Sequence, residues 1–160
     1  MSRLDLVVGP NGAGKSTFVA KILRSALPPG TPFVNADEIA RARFPGEEMQ
    51  RSREAAVIAE RTRDTLMNNG LPFIAETVFS HPSKLDLVDR AVAKGYYVHL
   101  HVLAIPSVLA VERVRYRAAQ GGHDVPLHKI TARWERLWPL VAEAIRRADA
   151  PRSGTTPNTR

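Results

Sequence analysis

The sequence predicts an α/β fold: a doubly wound, mostly parallel sheet of about four strands with helices on both faces. Three observations predict it. Short apolar runs alternate with longer segments of helical period along the chain. The first apolar run breaks into a glycine-rich turn that opens a helix. The length of 160 residues, with 44% hydrophobic and 24% charged residues, suits one folded domain.

Each element has its own signal. Leu4-Asp5-Leu6-Val7-Val8 reads as a buried strand that stops at Gly9-Pro10-Asn11-Gly12. A helix is expected from Lys15 to about Ala26, with Phe18, Val19, Ile22 and Leu23 on its packed side, ended by Leu27-Pro28-Pro29-Gly30. Phe33-Val34-Asn35 is the second strand, and Asp37 is placed to cap a short helix over Glu38 to Arg43. A polar helix follows from about Glu47 to Asn68, stopped by Asn69-Gly70. Pro72 to Glu76 is the third strand. Pro82 starts a helix that ends near Lys94-Gly95. Tyr97 to Ala104 is the fourth strand, and helices from Pro106 to about Gln120 and from Pro126 to about Ala148 complete the pattern. Residues 1–149 are expected to form the domain and 150–160 a loose, polar tail.

Composition excludes several classes. There is no Cys, hence no disulfide and no thiolate metal or redox site. The apolar run Tyr96 to Val111 carries His99, His101 and Pro106 and falls short of the ~20 apolar residues that cross a bilayer. The stretch before Gly9 is too short for a secretory h-region. A cytoplasmic protein without membrane contact is the expectation. The net charge of +7 is uneven: residues 1–80 hold 10 Lys+Arg against 9 Asp+Glu, and residues 81–160 hold 13 against 7. Of the 23 basic residues, 18 are arginine, the planar reader of phosphate. Aromatic residues are only 6%, with no stacking platform, which argues against nucleic acid as the partner.

Gly9-Pro10-Asn11-Gly12-Ala13-Gly14-Lys15-Ser16-Thr17 fits G-x-x-x-x-G-K-[ST] in full, with a strand before it and a helix after. Glycines let the backbone N–H groups curl around an anion, and the helix start adds its positive end. Lys15 is suited to the β- and γ-phosphates, Ser16 to Mg²⁺ and Thr17 to another phosphate oxygen. The fold is thus of the P-loop NTPase type.

Carboxylates near the ends of the second and third strands supply the acceptor side. Asp37 reads equally as a helix cap or as a base for an attacking hydroxyl. Glu76 suits an acceptor hydrogen bond or an Mg²⁺ outer contact; Thr77 and Ser80 either bond the acceptor or shape the turn. Arg113 and Arg117 share a helix face, and Arg115 points away. With Gly121-Gly122-His123 behind them they suit a lid around 106–133 that closes over phosphates. Arg133 is placed to point into the cleft, and Arg136 to stay on the surface. His99 and His101 share one strand face and read as packed or paired within the sheet, and Trp134 with Trp138 as a packing stripe.

The chain resembles the zeta-toxin-like P-loop kinases. The carrying motifs are Gly9 to Thr17, Asn35-Ala36-Asp37, Glu76-Thr77-Val78-Phe79-Ser80, Arg113 to Pro126 and Ile130-Thr131-Ala132-Arg133-Trp134, in the family's order. The R-x-x-x-G-G-H-x-V-P run with a downstream I-x-x-R resembles the family's compact predicted-ATPase branch. The resemblance implies transfer from ATP, with Mg²⁺, to a hydroxyl of UDP-N-acetylglucosamine, and a small protein antitoxin that blocks the ATP site. It also implies residue roles. Gly9, Asn11, Gly12, Ala13, Gly14, Lys15, Ser16 and Thr17 hold ATP, with Ser16 on the metal. Asp37 is the base. Glu76 binds the acceptor, with Thr77, Ser80 and Asn35 beside it. Arg117 and Arg133 meet the γ-phosphate, with Arg113 in reserve. The family continues from its last helix into a further strand, and no strand pattern follows Ala148 here. Two other readings stay open: a nucleotide-binding regulatory or toxin–antitoxin module with weak or lost catalysis, and a nucleic-acid 5′-hydroxyl kinase.

Overall fold

Four strands pair into one sheet: β1 (Arg3–Val8), β2 (Phe33–Val34), β3 (Phe73–Thr77) and β4 (Tyr97–Val102). Their order is β2-β3-β1-β4 and every pairing is parallel. The computed structural model describes residues 2–121 and 126–149. The rest of the Gly121-Gly122-His123 break and the tail 150–160 lie outside the described residues.

β1 is central because Leu4 to Val8 offers no solvent face. Its side chains divide two cores. Leu4, Leu6 and Val8 pack with residues of α4 (Ser52–Asn68), α5 (Ser83–Ala93) and α7 (Leu127–Ala148), including Ala59, Val88 and Leu137. Val7 and Ile74 face the other way, onto Val19 and Leu23. Helices therefore cover both faces, as the sequence predicts.

Asp5 is the polar exception in β1, fully buried, and the structure satisfies it. Arg3 donates two hydrogen bonds to it at 2.7 Å, and His101 Nε2 lies 2.8 Å from Oδ1. Burial pushes the Asp5 carboxyl up, but the Arg3 and His101 hydrogen bonds and charges outweigh it and hold it below the usual carboxylate range. His99 lies beside the Tyr97 ring. His101 is thus paired within the sheet, and His99 packs beside a ring of its own strand.

The helix after the loop is continuous over its expected span but not regular. α1 (Lys15–Phe18) runs into a π-helical turn (Val19–Leu23) and then α2 (Arg24–Ala26). The wider π turn keeps Val19 and Leu23 on the sheet and rotates Ile22 outward, to 58% exposed. Ile22 thus leaves the expected packed face. α3 (Ala36–Arg43) differs too: its cap is Asn35, not Asp37. α4 begins at Ser52 rather than near Glu47. Gly46 is left-handed and its N–H donates to the Glu48 carboxylate, so turns occupy 45–51. β3 runs one residue past Glu76, and β4 ends at Val102.

α6 (Ser107–Ala119) joins the body through a small cluster of Ala110 and Val114 against Ile130 of α7. Trp134 Nε1 donates to the Ile105 carbonyl at 2.8 Å, and Trp134 meets Trp138 edge-to-face at 5.5 Å. The tryptophan pair is the packing stripe, and it ties α7 to the segment entering α6.

Candidate active site

The loop 9–14 leaves the carboxyl end of β1, with β3 on one side and β4 on the other. In open parallel sheets this is where ligands bind. Gly9 is forced by crowding: a Cβ there would lie 2.4 Å from the Leu103 carbonyl oxygen. Gly14 is left-handed (φ 86°) at the start of α1 and provides no side-chain cap, so the first-turn N–H groups stay turned toward an incoming anion. Ala13 N–H is used inside the loop, donating to the Pro10 carbonyl at 3.1 Å.

Lys15 is only 7% exposed, and its Nζ donates to the Gly9 and Pro10 carbonyls at 3.0 and 3.1 Å. Burial lowers its pKa; Glu76 and Asp37 push it back up, while nearby Arg117 adds to the lowering. These shifts bring Asp37, Glu76 and Arg117 into the electrostatic neighbourhood of one ammonium.

Strand order then supplies a contact that spacing did not predict. β3 lies beside β1, with Glu76 in register with Val7. Ser16 Oγ donates to the Glu76 carboxylate at 3.0 Å. Asn35, 5% exposed, completes the cluster. Its Oδ1 accepts from the Asp37 and Glu38 N–H groups at 2.7 and 3.3 Å, and its side chain favours the charged form of Glu76. Burial raises the Glu76 pKa and Asp37 adds to the rise; Lys15, Ser16 and Asn35 oppose it. Asp37 stands exposed in the first turn of α3, freed from capping by Asn35.

Thr77 shapes the turn: its Oγ accepts from the Phe79 N–H at 3.2 Å. Phe79 is buried and left-handed (φ 62°), the one such non-glycine among the described residues. Backbone strain of this kind costs on the order of 1–3 kcal/mol and gathers at functional sites. Ser80 is half-buried beyond it.

The other side of the loop faces α6. Arg113 Nη1 donates to the Gly12 carbonyl at 2.9 Å, and a Cβ on Gly12 would lie 3.0 Å from the Arg113 Cβ. A cleft of about 400 Å³ opens there, lined by Gly12, Gly14, Thr17, Leu109, Glu112, Arg113, Tyr116 and Arg117. Arg113 and Arg117 share it. Arg133 does not line it; half-buried on α7, it has no hydrogen bond or ion pair among the described residues. Leu109, Glu112 and Tyr116 are the site residues that sequence reasoning missed. Their signal was spacing: Leu109 and Tyr116 lie one helical turn from Arg113, and Glu112 one turn from both Leu109 and Tyr116.

Among the described residues no cluster of three or more His, Asp or Glu is arranged to hold a metal ion. A cation at this loop would rest on Ser16, with Glu76 behind it and phosphate oxygens completing its shell, as Mg²⁺ prefers.

A loop at the end of a central parallel strand, a buried lysine and a carboxylate behind the loop serine define a P-loop kinase-like protein. Residues 4–140 match the AAA domain family, and the chain belongs to it. It is similar in fold to a component of the Pnkp1/Rnl/Hen1 RNA repair complex, at 22% identity over 98% of this chain and 50% of that one, with a TM-score of 0.69. A candidate kinase of Chloroflexus aurantiacus is 20% identical over 77% of this chain and 70% of that one, at 0.62. The PezAT chromosomal toxin–antitoxin system of Streptococcus pneumoniae gives 18% over 74% and 54%, at 0.59. The chain thus spans about half the length of the first and third. No curated protein matches it.

Proposed function

We propose that the protein is an ATP-dependent kinase that phosphorylates a hydroxyl of a small molecule, of the UDP-activated amino sugar class such as UDP-N-acetylglucosamine. The cluster Lys15–Ser16–Glu76–Asn35–Asp37 carries the reading, because it sets a hydroxyl-activating carboxylate beside the phosphate loop. The triphosphate lies along Gly9, Asn11, Gly12, Ala13, Gly14 and Thr17, with its nucleoside in the α6 cleft. Ser16 would hold Mg²⁺, which would supply neutralisation of phosphate charge. Lys15 exchanges its two loop carbonyls for β- and γ-oxygens. Asp37 takes the proton of the acceptor hydroxyl as its oxygen bonds the γ-phosphorus and the bond to the bridging oxygen breaks. Arg113 and Arg117 neutralise charge on the transferred group, and α6 acts as part of a lid spanning 106–133, with Arg133 joining on closure.

The sugar nucleotide rests on the resemblance to zeta-toxin-like kinases and agrees with the fold likeness to the PezAT system. The same likeness supports an antitoxin-type protein partner, and a cytoplasmic site of action is part of the proposal. The Pnkp1/Rnl/Hen1 likeness favours one second reading, a kinase for nucleic-acid 5′-hydroxyls. Nucleotide binding and transfer separate in two variants. Lys15→Ala is expected to lose both ATP binding and transfer. Asp37→Ala is expected to keep ATP binding within about threefold and to lose transfer by ~10²–10⁴-fold. Titration calorimetry with a non-hydrolysable ATP analogue reads the first property. Full turnover by Asp37→Ala contradicts the assignment of the base.

A further inference from the structure

The cleft beside the phosphate loop holds an ionisable group that the transfer step does not use. Among the described residues, Glu112 is the one carboxylate lining it, next to Arg113 and Arg117. Glu112 has no hydrogen bond or ion pair among the described residues, although Arg115 lies three positions on along the same helix. A free carboxylate repels phosphate groups, so Glu112 is out of place beside a triphosphate unless it meets a different part of the ligand.

Its place on α6 says which part. Ala110 and Val114 form the seam that packs on Ile130. At ~100° per residue, the lining side chains follow one another round the helix away from that seam: Arg117, Arg113, Leu109, Tyr116 and, last, Glu112, about 140° from Arg117. The two arginines mark the phosphate end. Arg113 bonds the Gly12 carbonyl, and Arg117 is close enough to Lys15 to lower its pKa. Leu109 and Tyr116 come next, and Tyr116, 68% exposed, offers an aromatic face to the cleft. This is a surface on which a planar base stacks. Glu112 closes the far end. The cleft of about 400 Å³ is of the size that small ligands occupy. A nucleotide with its phosphates at the arginines brings its ribose to the middle of the cleft and the edge of its base to Glu112.

We infer that Glu112 determines which donor nucleotide the protein takes, by accepting a hydrogen bond from the 6-amino group of adenine and turning away 6-oxo purines. An ionised carboxylate only accepts hydrogen bonds. The 6-amino group of adenine donates one. The 6-oxo group of guanine or hypoxanthine is itself an acceptor, so in the same pose two acceptors face each other and neither is satisfied. A nucleotide in this cleft rests on the kinase reading; the choice of base rests on Glu112.

The test is titration calorimetry of the full chain with ADP, GDP and IDP in the presence of Mg²⁺, which needs no acceptor. IDP carries the 6-oxo group without the 2-amino group and so isolates the 6-position. Wild type is expected to bind ADP at least about tenfold more tightly than GDP or IDP. Glu112→Gln supplies an amide that either accepts or donates, so it is expected to keep ADP affinity within about threefold and to raise GDP and IDP affinity about tenfold. A gain in affinity cannot come from a misfolded variant. Tyr116→Ala is expected to weaken all three diphosphates alike. Equal binding of the three by wild type, a preference for GDP, or an unchanged ratio in Glu112→Gln overturns the role of Glu112 and leaves nucleotide-dependent transfer standing. A ratio narrowed as much by Tyr116→Ala as by Glu112→Gln also overturns it, because the ring then makes the discrimination. If none of the three binds, the kinase reading falls and the selection of the base falls with it.

Discussion

Asp5 is buried and Glu76 half-buried in the sheet, and their surroundings push the two carboxylates in opposite directions. Asp5 sits below the usual carboxylate range because Arg3 and His101 outweigh its burial. Its stabilising contribution is present above that range and is lost as pH falls through its folded-state pKa. Asp5→Ala is therefore expected to cost about 2–3 kcal/mol at neutral pH, with the deficit shrinking in acid. Urea unfolding at pH 7 and pH 3 measures both. Glu76 is raised, first by burial, so its neutral form is the one the fold prefers. That contribution is present in acid and lost as pH rises through the folded-state pKa. Glu76→Gln should then raise Tm at pH 7, with the gain disappearing toward acid pH, while phosphoryl transfer falls. A carboxylate kept charged against the preference of its surroundings is what a cation-binding or acceptor-binding role requires. These tendencies were not legible in the sequence. Glu76 meets Ser16 only because β3 inserts between β2 and β1, and strand order is not written in any local pattern.

At the scale of elements, most boundaries follow from apolar runs and turn residues. The departures have local causes. Asn35 and Asp37 both suit a helix start, and no local pattern favours Asn35 over Asp37. What decides is that an amide accepts from two backbone N–H groups and favours the charged Glu76, where a second carboxylate would repel it. Asn35→Ala should cost about 1 kcal/mol through the lost cap and also depress transfer, because Glu76 loses a partner. Chemical unfolding and a transfer assay read the two effects. The i,i+4 spacing of Arg113 and Arg117 made their shared face legible. The position of Arg133 depends on how α7 lies against α6, and the described structure keeps it off the cleft. Gly12 records how closely α6 approaches the loop. Gly12→Val would drive a branched side chain into Arg113 and Ala110 and is expected to abolish ATP-analogue binding in calorimetry. Retained affinity would show that α6 need not stay seated on the loop.

Across the whole molecule, the charge of +7 has acquired a distribution with meaning. Arg113 and Arg117 border the cleft beside the phosphate loop. Much of the remaining arginine is spent on carboxylates, as with Arg147 on Asp89 and Glu143, or Arg51 on Glu47 and Glu54. The positive charge is thus divided between one arginine-lined cleft and a set of arginine–carboxylate pairs rather than spread over a uniform face. The order β2-β3-β1-β4 puts the loop of β1 and the Glu76 end of β3 side by side at the carboxyl edge of one parallel sheet. Transfer of labelled γ-phosphate from ATP, across UDP-sugars, nucleosides and 5′-hydroxyl oligonucleotides, tests this account most directly, with wild type run beside Asp37→Ala. The account predicts a labelled UDP-sugar with wild type and at least a hundredfold less with Asp37→Ala. Labelling of oligonucleotides alone, or equal labelling by the two proteins, would contradict it.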